Sequence, residues 1–136
     1  MKLFIQYWKT ILWVIVIFFL STLQIPNVPS VPLFNIPNFD KFVHFTLYSI
    51  LLTAWSVDYF KCTLKFNKRR FLIIILSSIS YGLIMEIIQK VVVQNRSGDI
   101  FDALANTIGV LVAFLLFRYI HPYRKTILII FAKSWL

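Results

Sequence analysis

Apolar residues run almost without interruption through four stretches of the chain, at residues 10–25, 42–60, 71–89 and 102–119. A helix that crosses a bilayer needs about 20 mostly apolar residues, and each stretch approaches that length. A transmembrane β-strand would alternate apolar and polar residues, which these continuous runs do not do. The pattern therefore predicts an all-α membrane protein, a bundle of four transmembrane helices.

The composition supports a membrane location for the whole chain. Of the 136 residues, 60% are hydrophobic and 14% are charged, whereas soluble proteins average about 45–50% apolar and about 25% charged residues. Four spans leave no room for a soluble domain, so residues 1–136 are expected to form one transmembrane domain. The single cysteine, Cys62, allows no disulfide within the chain.

The positive charges predict the orientation, because short loops rich in Lys and Arg stay in the cytoplasm. The N-terminal flank, the second connection and the C-terminal tail carry two, five and four cations, against three in the other two connections. Both termini are therefore expected in the cytoplasm, in a multi-pass protein of the cytoplasmic (inner) membrane. The first span lacks a small-x-small cleavage pattern and is expected to remain as an anchor. The net charge of +9 is then an orientation signal and a match to anionic lipids, and no nucleic-acid partner is expected.

Two segments outside the predicted spans differ from the rest of the chain in composition or length. Residues 24–39 contain four of the five prolines and no charge, which predicts a loop in the outer headgroup region or, alternatively, a lid across a cavity. Residues 126–136 are apolar but too short to span. They are expected to form an interfacial helix anchored by Trp135 and Lys133.

The acidic residues lie mostly at the outer end of the predicted bundle. Of the five, only Asp58 falls at the cytoplasmic end. Glu86 interrupts an otherwise apolar run, where a charged side chain costs at least ~2.5–3.5 kcal/mol. An ionisable residue in such a place indicates a functional site.

Polar and small residues recur at helical spacing around these acids. At 100° per residue, each of the last three spans carries them on one face. The three faces are Asp40, His44 and Tyr48; Ser78, Gly82, Glu86 and Gln89; and Asp102, Asn106, Gly109 and Ala113. We expect the three faces to meet near the outer surface.

Helix packing alone accounts for the small residues, which let helix backbones approach closely. It does not account for Glu86, which must pair with a cation or stay protonated. We expect pairing, and the candidate partners are His44, Lys41 and Arg96.

These residues resemble the signature of the VanZ-like family over residues 40–109. The elements are Asp40-Lys41-x-x-His44-Phe45-x-x-Tyr48, Tyr81-Gly82-x-x-x-Glu86-x-x-Gln89, and Arg96 followed by Asp102-x-x-x-Asn106-x-x-Gly109. The family consists of small bacterial membrane proteins, named for a member of a glycopeptide-resistance gene cluster that lowers sensitivity to teicoplanin. The resemblance implies a role in the cell envelope and in teicoplanin resistance. It leaves the molecular activity open, and also the role of the additional acid Asp99.

The first functional hypothesis is an enzyme that acts at the outer face on a lipid-linked or cell-wall component. Glu86 or His44 would be the general base, and Asp102 would complete the catalytic group. Lys41 and Arg96 would bind a phosphate or carboxylate of the substrate. The other candidates for substrate binding are Asp40, Tyr48, Gln89 and Asn106.

Two alternatives use the same residues. A non-catalytic protein would bind a lipid, an antibiotic or an envelope partner through the same buried charges. A subunit of a proton-coupled transporter would relay protons through Glu86 and His44, although the spans hold few ionisable groups at greater depth. Whether the protein is an enzyme, and its oligomeric state, stay open.

A metal site is disfavoured by the sequence. His44 with Glu86, Asp99 or Asp102 could bind a divalent ion. However, only one histidine lies on the predicted outer side, and no His-x-x-x-His motif occurs. The sequence therefore predicts neither a metal nor another cofactor.

Overall fold

The computed structural model describes residues 5–23, 37–63, 67–92 and 99–120. They form four α-helices and no strand. The helices are α1 (Trp8–Thr22), α2 (Phe39–Thr63), α3 (Lys68–Val92) and α4 (Ile100–Ile120). The prediction of an all-α fold is thereby confirmed, although α1 ends at Thr22 and not at residue 25. The predicted C-terminal interfacial helix and most of the proline-rich segment lie outside the described residues.

Polar side chains define where the later helices begin. Asn67 precedes α3, and its side-chain oxygen accepts a hydrogen bond from the Arg70 backbone N–H at 3.2 Å. Asp99 precedes α4 and accepts a hydrogen bond from the Phe101 backbone N–H at 2.9 Å. Asn and Asp are preferred at these positions because they satisfy backbone donors that have no partner within the helix.

The outside of the bundle is apolar, while many buried residues are polar. Ten of the described polar or charged residues are buried, as many as the buried hydrophobic ones. Large hydrophobic side chains such as Leu83, Ile108 and Leu115 are exposed. In soluble proteins most polar and charged residues are exposed, and charged residues are seldom fully buried. Of the four described helices, α3 and α4 are long and apolar enough to cross a membrane, which makes a membrane location plausible.

Helices α2 and α4 approach each other closely at Gly109. A Cβ atom at this position would overlap the Phe45 backbone carbonyl oxygen. The Ser49 hydroxyl lies 2.8 Å from that carbonyl oxygen and 3.0 Å from the Gly109 carbonyl oxygen. The structure therefore confirms the packing role predicted for Gly109. The close approach of the helices at this glycine brings the polar faces of α2 and α4 together.

Hydrogen bonds to backbone carbonyls hold α1 against its neighbours. The Trp13 indole N–H donates to the Leu47 carbonyl in α2 at 2.8 Å. The Tyr81 hydroxyl of α3 donates to the Val14 carbonyl at 2.9 Å. These bonds join α1 to both neighbouring helices without requiring any charge in the middle of the bundle.

Asp58 fixes the beginning of α1. One of its carboxylate oxygens, Oδ2, accepts hydrogen bonds from the Thr10 backbone N–H at 3.0 Å and from the Thr10 hydroxyl at 2.9 Å. The other oxygen lies 3.5 Å from Lys9 Nζ. Asp58 is 1% exposed, so it joins α2 to the first turn of α1, where backbone N–H groups need acceptors.

Candidate functional site

The site lies at the end of the bundle where α2 and α4 begin and α3 ends. The three helices alternate in direction, so residues early in α2 and α4 lie at the same level as residues late in α3. His44, Glu86 and Asp102 each come from a different helix and are all buried. The predicted meeting of the three polar faces is therefore present at this end.

The innermost contacts join His44 to Asn106 and Glu86. His44 Nδ1 lies 3.1 Å from Asn106 Oδ1 and 3.4 Å from Glu86 Oε1. The Asn106 side-chain amide donates to the same Glu86 oxygen at 3.3 Å. Burial lowers the local dielectric, so these polar contacts are stronger than they would be in water. Glu86 thus has the histidine partner expected from the sequence.

Asp102 connects this inner group to Lys41. Its Oδ2 atom lies 3.9 Å from His44 Nε2, and its Oδ1 atom accepts a hydrogen bond from Lys41 Nζ at 3.4 Å. Lys41 Nζ also donates to Asp99 Oδ2 at 3.0 Å and to Asp40 Oδ2 at 3.2 Å. Acidic and basic groups therefore alternate in one continuous series from the rim of the bundle to its interior.

Lys41, which the sequence predicts to bind an anion, has three acidic neighbours in the structure. Its ammonium group contacts three carboxylates, and neutralising them is the role its geometry supports. The described part of the site holds four carboxylates but only Lys41 and His44 as basic groups. The described part of the site is thus acidic in a chain whose net charge is +9.

Asp99 has two functions that the sequence left open. It begins α4 as an N-cap and it binds Lys41. The backbone N–H of Phe101 and then the Lys41 ammonium group hold the pKa of Asp99 below its usual value. An acidic residue immediately before an apolar helix is a capping signal, and that signal was present in the sequence.

Tyr48 packs beside the inner group. A Cβ atom at Gly82 would lie 3.1 Å from the Tyr48 ring and 3.3 Å from the Asn106 side chain, so both side chains use the space that the glycine leaves. Tyr48 is 1% exposed. Its hydroxyl has no hydrogen-bond partner in the part of the chain that the structure describes, and the same holds for the buried Ser78 hydroxyl.

Two of the predicted site residues are not part of this cluster as described. The Gln89 side-chain amide donates to the Ser21 carbonyl at 3.2 Å, so it binds the last turn of α1. Arg96 lies outside the described residues. The residues that the structure does bring together are Asp40, Lys41, His44, Tyr48, Glu86, Asp102 and Asn106, with Asp99 in addition.

Two sets of side chains have the separation of metal ligands. His44, Glu86 and Asp102 form one set, and Asp40, Asp99 and Asp102 form the other; within each set, one ligand atom per residue lies within 4.8 Å of the others. Lys41 Nζ already contacts all three acids of the second set. Only the first set combines an imidazole with carboxylates, a combination that suits transition metals.

These features define a class of protein, an α-helical bundle that contains two helices apolar enough to cross a membrane and a buried acid, base and amide cluster at one end. The model of the VanZ/LLP1 family matches residues 4–128. The chain belongs to this family, which confirms the family resemblance of its motifs. No curated protein and no solved structure gives a significant match.

Proposed function

We propose that this VanZ-like protein is a four-span protein of the bacterial cytoplasmic membrane, with both termini inside. Its site acts at the outer face on a lipid-linked or cell-wall component, and its activity contributes to glycopeptide (teicoplanin) resistance. The observation that supports a reaction is the buried contact of His44 with carboxylates on two other helices. Membrane bundles rarely bury ionisable groups without a function for them.

The geometry suits proton transfer. His44 has a carboxylate near each of its two ring nitrogens, at 3.4 Å from Glu86 and 3.9 Å from Asp102. A carboxylate near an imidazole orients the ring and stabilises its protonated form, so that His44 can take a proton from a hydroxyl group or water. We assign His44 as the general base and the two acids as the groups that position and charge-balance it.

The proposed position of the site, at the level of the lipid headgroups, determines which kind of substrate can reach it. The Asp40 and Asp99 side chains at the rim are half-exposed, whereas His44 is buried. A polar headgroup of a lipid-linked molecule could reach this depth from the outer leaflet while its chain stays in the bilayer. Because Lys41 is held by three carboxylates, binding of a phosphate or carboxylate group is assigned to Arg96.

The test compares envelope lipids and glycopolymers by mass spectrometry. Cells carry the wild type, Glu86→Gln or an empty vector, and Lys90→Gln serves as the matched control because Lys90 is an exposed charge one turn further along α3. We expect a product in cells with the wild type and the control, and its loss with Glu86→Gln. Identical profiles in all four strains would refute the proposal.

A binding protein without turnover is the second candidate. The observation in its favour is the series of ion pairs around Lys41, since buried pairs can specify a binding geometry without chemistry. Protection from teicoplanin measured at graded expression levels separates the two. Sequestration requires protection in proportion to the number of protein copies, whereas catalysis protects with few copies.

A proton-coupled transporter subunit is the remaining alternative. It needs ionisable groups along the whole path, and at the far end Asp58 is engaged with the first turn of α1. Uptake by proteoliposomes under an imposed pH gradient tests it. Uptake that does not respond to the gradient removes this alternative.

A further inference from the structure

We propose that His44, Asp102 and Glu86 bind one divalent transition-metal cation of the zinc or manganese type. The inference rests on the proposed function, because it concerns the same site. With the ion bound, Nε2 of His44 would coordinate the metal and would no longer act as the base, and the Lewis acid would take over the activation of the hydroxyl group or water. The sequence disfavoured a metal because no paired-ligand motif occurs. The structure supplies the three groups from three different helices, an arrangement that no linear motif can indicate.

The Asn106 amide determines which nitrogen of the His44 ring carries the proton. The amide nitrogen of Asn106 donates to Glu86 Oε1 at 3.3 Å, which leaves its oxygen to face His44 Nδ1 at 3.1 Å. An amide oxygen only accepts hydrogen bonds, so Nδ1 is the protonated nitrogen and Nε2 of the neutral ring keeps its lone pair. A second group that fixes the tautomer in this way is typical of histidine ligands.

The lone pair of Nε2 faces Asp102. The distance from Nε2 to Asp102 Oδ2 is 3.9 Å, longer than the ~2.7–3.2 Å of an N–H···O hydrogen bond. Metal–nitrogen and metal–oxygen bonds are about 2.0–2.2 Å long, so two ligands of one ion lie up to about 4.2 Å apart. A cation between these two atoms therefore fits with little movement of either side chain.

Glu86 supplies the third ligand. One of its oxygens lies within 4.8 Å of a ligand atom of His44 and of a ligand atom of Asp102. Glu86 Oε1 lies 3.4 Å from Nδ1 of His44, so the Glu86 side chain would have to move toward Nε2 to share the ion. Two buried carboxylates this close repel each other in a low dielectric. A divalent ion would offset that repulsion, and three protein ligands would leave a position open for water or substrate.

The charge of the whole site favours a cation. Asp40, Asp99 and Asp102 surround Lys41 at the rim, and Glu86 adds a fourth carboxylate inside. Among the described residues of the site, four carboxylates accompany only Lys41 and His44, so negative charges outnumber positive ones even when His44 is protonated. Lys41 lies closest to Asp99 and Asp40, at 3.0 and 3.2 Å, and contacts Asp102 only through Oδ1 at 3.4 Å. An incoming metal ion is therefore left with Asp102 Oδ2 and the inner groups.

Metal binding by the full-length protein in detergent micelles is the test. The protein is treated with EDTA, dialysed, and exposed separately to Zn²⁺, Mn²⁺ and Mg²⁺, and the bound metal is measured by mass spectrometry and titration calorimetry. We expect one Zn²⁺ or Mn²⁺ per chain, and its loss in His44→Gln and Asp102→Asn. Asn106→Ala should weaken binding ~10–100-fold through the lost orientation of the imidazole.

The matched control is Asp58→Asn, which alters another buried carboxylate of α2 at the far end of the bundle. It should bind metal as the wild type does. A wild type that binds neither Zn²⁺ nor Mn²⁺ overturns the proposal whether or not any variant folds. Undiminished binding by a folded His44→Gln also overturns it, because the rim acids would then be the ligands.

Metal binding and the envelope reaction can fail separately. A protein that binds the metal but leaves the envelope profile unchanged refutes only the proposed function. A protein that changes the profile but binds neither Zn²⁺ nor Mn²⁺ refutes only the metal site.

Discussion

Replacing Asp58 by alanine should loosen α1 from the rest of the bundle. The substitution removes the acceptor of two short hydrogen bonds from Thr10 and leaves a backbone N–H and a hydroxyl buried. Hydrogen bonds to a charged group contribute about 1.5–3 kcal/mol each, whereas hydrogen bonds between membrane helices average only about 0.6 kcal/mol. Because both bonds are charge-assisted and Asp58 is 1% exposed, we expect a loss of about 2–4 kcal/mol. The contact with Lys9 is long, at 3.5 Å, and adds little.

Reversible unfolding by SDS in mixed micelles, followed by helical circular dichroism, measures this loss. Asp58→Asn keeps an acceptor oxygen and should lose less than half as much as Asp58→Ala. Thr10→Val removes the hydroxyl bond and keeps the backbone bond, so it should fall between the wild type and Asp58→Ala. If Asp58→Ala unfolds within about 0.5 kcal/mol of the wild type, the size expected of a neutral surface change, then Asp58 does not hold α1.

Three further substitutions test other contacts. Gly109→Ala places a methyl group against the Phe45 carbonyl and should cost about 1–3 kcal/mol in the same SDS titration; unchanged stability would mean that α2 and α4 are not closely packed there. Tyr81→Phe removes the bond to the Val14 carbonyl and should cost about 0.5–1.5 kcal/mol by the same measurement; no loss would contradict that contact. Asp99→Ala removes the cap of α4 and a partner of Lys41, and its effect should depend on pH. Because the fold lowers the pKa of Asp99, its stabilisation is fully present above pH ~3.9 and is lost as the pH falls through the lower folded value. Wild type and variant should therefore converge in acid, and a constant difference across the pH range would contradict this assignment.

Helical periodicity was sufficient to find the central residues of the site. His44, Glu86 and Asp102 were predicted to meet because each lies on the polar face of its own span, and alternating helix directions bring those faces to one end. Helical periodicity places such a face to within roughly one turn of the helix and does not give the positions of individual atoms. The sequence therefore indicated which residues would be near one another without indicating the individual partners.

Gln89 and Lys41 make contacts that the sequence pattern did not indicate, because the reach of these long side chains exceeds this precision. Gln89 lies on the same face as Glu86 in the linear pattern, yet its long side chain extends to the Ser21 carbonyl at the end of α1. That carbonyl is one of the helix-end acceptors that lack a partner within the helix. Lys41 was expected to bind a ligand, but its flexible chain brings its ammonium group to three carboxylates, a number that depends on how α2 and α4 approach.

The exposed fraction of each charged side chain indicates the order in which an entering ligand would meet these groups. The exposed fraction of the side chain falls from 52% at Asp40 through 35% at Asp99 and 27% at Lys41 to 7% at Asp102 and 6% at His44. A ligand that moves inward loses water in steps, and each step strengthens its electrostatic interaction with the next group. Of the three contacts of Lys41, the one to Asp102 is the longest, at 3.4 Å. An incoming cation or headgroup would therefore displace Lys41 from Asp102 at a smaller cost than from the rim acids, and the inner carboxylate would become available while the rim stays paired.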